Sequence, residues 1–113
     1  MSISGIAFSN MKGEHFYVND SFLKMTGYDK PEEIYDTTSF DLIPETEFDK
    51  IEKAIEVTKE KGEWKGESKA INRSGEEINI KFSTNLIKDD IGQPICMMAS
   101  FEDITERKER KRD

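Results

Sequence analysis

From Glu77 to Leu86 the large apolar residues fall on every second position, so Ile78, Ile80, Phe82 and Leu86 share one face of an extended segment. A strand patterned in this way lays that face on a core and turns the other to water. After Pro94 the alternation is weaker: Ile95, Met97, Ala99 and Phe101 lie on one side, and Cys96, Met98, Ser100 and Glu102 on the other. The second face is therefore partly apolar as well. Three connections end in glycine, at Asn10-Met11-Lys12-Gly13, Asn72-Arg73-Ser74-Gly75 and Asp89-Asp90-Ile91-Gly92, each between strand-like runs. Glycine there adopts the positive φ that closes a hairpin. These turns pair residues 6–9 with 16–18, 65–72 with 77–88, and the latter with 94–102, which predicts a five-stranded antiparallel sheet.

The segment between the first hairpin and the rest has helical character. Asn19 or Asp20 caps a short helix through Phe22, Leu23 and Met25 that stops at Gly27, and Asp29 caps another begun by Pro31-Glu32-Glu33. The longest helix is expected over residues 45–61, with Phe48, Ile51, Ile55 and Thr58 at helical spacing. Glu45 and Glu47 open it and Lys59 and Lys61 close it before Gly62, the polarity that the helix dipole favours. A sheet with helices on one face is an α+β fold whose core is the gap between the two layers.

At 113 residues the chain is long enough for one domain with one core. A charged fraction of 36% and a net charge of -7 describe an acidic surface, without the basic stripe that phosphate recognition needs, so nucleic acid is not expected as a partner. No apolar run approaches the roughly 20 residues of a membrane-spanning helix, and no signal peptide opens the chain. Direct membrane insertion is therefore not expected. The single cysteine forms no intrachain disulfide and fits a reducing compartment, so the expected location is cytoplasmic, a membrane-anchored parent included. The chain begins almost on its first strand and stops inside a helix, and on that basis it reads as an excerpt from a larger protein.

The run Asn72-Arg73-Ser74-Gly75-Glu76, a long strand, an Asp-x-x-Gly turn, a second long strand and Asp103-Ile104-Thr105-Glu106-Arg107-Lys108 resembles the C-terminal half of a Per-Arnt-Sim (PAS) sensory domain. Gly5-Ile6-Ala7, the Gly13 turn, Tyr17-Val18-Asn19-Asp20-Ser21-Phe22, and Thr26-Gly27-Tyr28 followed by Pro31-Glu32-Glu33-Ile34 are similar to the opening of that family. The resemblance covers nearly the whole chain. It implies a sensor core over residues 1–102 and the start of an outgoing signalling helix over 103–113. It implies further a non-enzymatic sensor and relay module of a signalling protein such as a histidine kinase, a cyclic-dinucleotide enzyme, a chemoreceptor-like protein or a regulator. An effector domain of the same chain and a second copy of the module are the partners it implies. The alternative is a ligand-free dimerisation or docking module.

Candidate chemistry is sparse. His15 is the only histidine and stands just before a short strand, so an exposed strand-end position is expected rather than a metal ligand. Family members that bind haem resemble one another in a histidine on the long helix, which has none here. Those that form a flavin adduct carry a cysteine on the short helix, where this chain has Ser39-Phe40-Asp41-Leu42-Ile43. In the same comparison the amide side chains that orient flavin are replaced by Ala70 and Ile80, with Phe101 opposing them. No cofactor is expected, neither haem nor flavin, although the family's interlayer space accommodates an unidentified small ligand. The expected lining is Tyr35, Phe40, Ile43, Phe48, Ile51, Ile55, Ile80, Phe82, Met97, Ala99 and Phe101, against the plainer reading of a filled core in which Phe82 and Phe101 occupy the gap. Cys96 reads as a small strand residue. The acidic residues fall mostly on turns and helix surfaces, where solvated carboxyls are unsuited to acid catalysis at neutral pH. Asp103, Ile104 and Thr105 cap the last helix, and the resemblance makes the same triplet the signal junction.

Overall fold

The alternating segments pair as their side chains require. Strands β1 (Gly5–Ser9), β2 (His15–Val18), β3 (Glu63–Ile71), β4 (Glu77–Lys88) and β5 (Pro94–Asp103) form one antiparallel sheet in the order β2-β1-β5-β4-β3. The computed structural model describes the backbone of residues 4–35 and 37–111, and the side chains as far as residue 108. The last strand is central, between β1 and β4, so both halves of the chain meet on it. The three glycine turns share their chemistry. Asn10 Oδ1 accepts from the N–H groups of Lys12 (2.9 Å) and Glu14 (3.0 Å), and Asp89 Oδ1 accepts from those of Ile91 (3.0 Å) and Gln93 (2.9 Å). Asn72 Oδ1 likewise accepts from Glu76 N–H at 2.9 Å.

Strict alternation fails where the register shifts, between Ile87 and Lys88 on β4 and within the first hairpin, and the second of these shifts repositions His15. Counting back from buried Val18 puts Phe16 inside and His15 outside. The β1–β2 register shifts between Phe8 and Ser9, so Tyr17 opposes Phe8 while His15 opposes Ser9. This bulge adds one residue on β2 and returns His15 to the inner face. His15 is 5% exposed, whereas Phe16 and Tyr17 are 50% and 46% exposed. The expected exposed strand-end histidine is thus a buried one.

The helical layer covers the inner face. Helix α1 (Asp20–Thr26) is capped by Asn19, whose Oδ1 accepts from Phe22 N–H at 3.0 Å and from Ile6 N–H at 2.9 Å, so the cap also fixes the helix to β1. Asp29 does not cap the next turn. Pro31 at its first position makes Lys30 the cap of a 3₁₀ turn, Pro31–Glu33, and the Glu33 carboxylate returns to the N–H groups of Asp29 and Lys30. Asp29 instead pairs with Arg73 at 2.9 Å. Residues expected to begin the long helix form a separate 3₁₀ turn, Glu45–Glu47, and helix α2 runs Phe48–Lys61. Ile51, Ala54 and Thr58 are its buried stripe. The core has two parts: Ile43, Ile51, Ala54, Ala70, Ile80 and Phe82 under α2, and Ala7, Val18, Phe22, Leu23 and Ile34 under α1, with Met25 and Phe101 against both. Among the described residues no helix is long and apolar enough to cross a membrane.

Candidate functional site

Side-chain size varies systematically across the inner face, and this leaves the larger space on the β1–β5 side. Over β3 and β4 a row of aromatic rings fills the gap: Trp64 and Phe82 have centroids 4.9 Å apart, Phe82 and Phe101 6.0 Å, and Phe101 and Phe22 5.5 Å. Trp64 lies over Gly66, where an added Cβ would stand 2.2 Å from its Cη2. Over β1 and β5 each facing pair includes a small residue, with Ala7 opposite Ala99 and Ser9 opposite Met97. The result is a cleft of about 310 Å³ between the β1–β2 turn, the sheet and α2. Its rim carries Met11, Lys12, Glu52, Glu56 and Lys59, and its walls include Phe40, Ile55, Met97 and Phe101. A smaller void of about 80 Å³ lies deeper, against Ala70, Ile78, Ile80 and Phe82. His15, Ser39, Ile55, Thr84, Ala99 and Phe101 border both.

Few polar groups reach this space. Thr58, with no exposed surface, donates to Ala54 C=O at 2.7 Å and shares a short hydrogen bond with Thr84 Oγ1. His15 Nδ1 is 3.2 Å from Thr37 Oγ1, and the Thr37 hydroxyl donates to Ile34 C=O. Burial lowers the His15 pKa below its ordinary value, opposed by the hydrogen bond with the Thr37 backbone and by the Asp41 charge.

Of the expected lining, Phe40, Ile43, Ile51, Ile55, Ile80, Phe82, Met97, Ala99 and Phe101 border one space or the other. Two do not. Tyr35 packs against the part of the core beneath α1, and Phe48 sits edge-on to Phe40, centroids 5.4 Å apart, behind the wall. Sequence reasoning missed His15, Thr58 and Thr84. The bulge hid the first, and Thr58 was read only as a member of the helical stripe. A threonine facing a threonine across the layers has no one-dimensional signal. Cys96 is buried, and desolvation raises its thiol pKa. Among the described residues no group of His, Cys, Asp and Glu could hold a metal ion.

Just past β5 the chain is bound to β4 through one residue. Asn79 of β4 receives Ile104 N–H on its carbonyl at 2.8 Å, and its own N–H donates to Thr105 Oγ1 at 2.8 Å. Asp103 Oδ1 accepts from Thr105 N–H at 2.9 Å, which starts helix α3 (Thr105–Lys111). Ile104 is 3% exposed. Lys108 Nζ reaches Glu67 on β3 at 3.1 Å, and Arg107 pairs with Glu102. The strand that floors the cleft at Met97, Ala99 and Phe101 is thus continuous with this junction.

Solved structures share this architecture. The PAS domain of a Colwellia psychrerythraea protein superposes with a TM-score of 0.85 at 20% identity, covering 92% of this chain and 88% of that one. A sensory box histidine kinase/response regulator from Burkholderia thailandensis gives a TM-score of 0.75 at 22% identity, covering 96% and 82%. An RNA-binding light-oxygen-voltage receptor gives 0.81 at 20% identity, and the match takes in 96% of this chain but 31% of that one. No curated protein sequence matches the chain. These likenesses establish the fold, and the PAS domain family model matches residues 3–106. With the sheet order, the helical layer and the strand-to-helix junction all inside that stretch, the chain belongs to the PAS domain family.

Proposed function

We propose that this PAS domain is a non-enzymatic sensor of a small molecule, which it holds in the cleft beside the β1–β2 turn. One observation carries the reading. The cleft is floored by β5, and β5 leads without interruption into Asp103, Ile104 and Thr105. A volume of about 310 Å³ lies at the lower end of the range for small-molecule sites, roughly 300–1,000 Å³, and its mostly apolar walls with a few polar groups fit such a site. Occupancy would bias the packing of Ala99 and Phe101 between two arrangements of similar energy, and the Asn79 hydrogen bonds would carry the difference to α3. Neither haem nor flavin is the expected occupant. Ala70 and Ile80 border the smaller void and bring no hydrogen-bonding side chain to it.

The test is native mass spectrometry of freshly purified protein beside an Ala99→Leu variant that fills the cleft. A bound small molecule in the parent and none in the variant is the expected result. Equal retention in both, with the variant folded, would place the ligand elsewhere. The docking alternative draws on a different face, where Phe8 packs on exposed Phe16 and Tyr17 at centroid distances of 6.1 and 5.8 Å. A second copy of the domain is the partner that this reading supplies, and sedimentation across a concentration series checks it.

A further inference from the structure

We propose that the cleft selects an uncharged, largely apolar molecule that donates a hydrogen bond, and that His15 Nε2 is the atom that accepts it. The inference rests on the sensor reading above and adds the chemistry of the ligand. It follows from counting protons. A threonine hydroxyl has one, and that of Thr37 lies between its oxygen and the Ile34 carbonyl, which has no proton to offer. Thr37 Oγ1 can then only accept from His15, so the His15 proton is on Nδ1 and Nε2 presents a lone pair. No buried nitrogen or oxygen among the described side chains lacks a partner, and Nε2 has none among the described residues, so this atom keeps contact with open space. His15 borders both spaces and is itself 95% covered, at 5% exposure. The other hydroxyl pair points to the same preference. Thr58 spends its proton on Ala54 C=O, so Thr84 donates to Thr58 and keeps only acceptor capacity. Of the polar side chains that border both spaces, His15 Nε2 and Thr84 Oγ1 therefore only accept, and the Ser39 hydroxyl alone can also donate. Carboxylates and phosphates, which need donors, would find cations only at the rim, where Lys12 and Lys59 stand beside Glu52 and Glu56.

The experiment compares three probes with one skeleton: 2-naphthol, which donates; 2-fluoronaphthalene, which does not; and 2-naphthoate, which is an anion. Calorimetric titration should show 2-naphthol binding about 3- to 10-fold more tightly than the fluoro compound, the worth of one hydrogen bond, with naphthoate weakest. The preference should vanish in His15→Phe, which keeps a ring against Phe22. Should that variant fail to fold, acid titration of the native protein replaces it, because protonated His15 has no lone pair to offer. The preference for naphthol over the fluoro compound should then fall at a pH below the usual histidine range. The charged groups around the cleft, Asp41, Lys12, Glu52, Glu56 and Lys59, act on both neutral probes alike. Equal binding of naphthol and the fluoro compound, or tighter binding of naphthoate, would overturn the donor preference while leaving the sensor reading intact. Binding of none of the three would overturn both.

Discussion

Removing the side chains that join β5 to α3 should detach the helix without unfolding the domain. In the double variant Asp103→Ala, Thr105→Ala, the cap accepted by Asp103 is lost, at about 0.5–2 kcal/mol. The half-buried Asn79 N–H loses its acceptor, which costs toward the lower end of about 1–3 kcal/mol because water can approach it. Together these stay below the 5–15 kcal/mol typical of a folded domain. Ile104 remains buried, and its N–H still donates to Asn79 C=O. Helix α3 has little else to hold it. The Arg107–Glu102 and Lys108–Glu67 pairs have side chains 43–52% exposed, and such pairs contribute about 0–1 kcal/mol each. A seven-residue helix does not persist on propensity alone. Urea denaturation should show a loss of about 1–4 kcal/mol with an unchanged slope. Amide exchange should show Lys108, whose N–H donates to Ile104 C=O, losing its protection while β4 and β5 keep theirs. Retained protection at Lys108 in a folded variant would show that the junction does not hold the helix. Collapse of the whole sheet would show that the triplet belongs to the core.

Gly66→Ala should shift the emission of Trp64, the only tryptophan, because the new Cβ displaces its indole from the sheet; an unchanged spectrum would contradict that packing. Glu47 ties the 3₁₀ turn to β3. Burial pushes its carboxyl up, but hydrogen bonds from Ser68, Lys69 N–H and Lys50 outweigh this and leave it titrating below the usual glutamate range. Its contribution is full above that range and is lost as pH falls through the lowered folded value, so Glu47→Gln should flatten the acid limb of the stability curve. Protein expressed with flavin and haem precursors supplied should show no visible absorption band.

The sheet was legible because its turns are written in side chains. Asn10, Asn72 and Asp89 each precede a glycine by three residues, and each side chain accepts the backbone N–H groups that the turn exposes. The centre of β4 was legible by period, with Ile80 and Phe82 buried on the inner face. The site was only half legible. Apolar residues on β4, β5 and α2 can be read from spacing, and most of them do border the space. A bulge cannot be read that way, and it decides whether His15 or Phe16 faces inward. Nor does spacing reveal that the gap is filled at Trp64, Phe82 and Phe101 and empty at Ala7 and Ala99. That contrast arises from residues far apart in sequence and paired only through the sheet. Phe48 has the right helical phase and still does not border the cleft; its ring sits edge-on to Phe40, which does.

Occupancy of the cleft should be felt at the junction, and residue-resolved amide exchange with and without 2-naphthol measures this directly. Exchange should change along the cleft walls and also at Asn79 and Ile104, whose N–H groups make the two hydrogen bonds that join β4 to the strand end and the helix start. A change confined to the cleft walls, with Asn79 and Ile104 exchanging as before, would contradict the account.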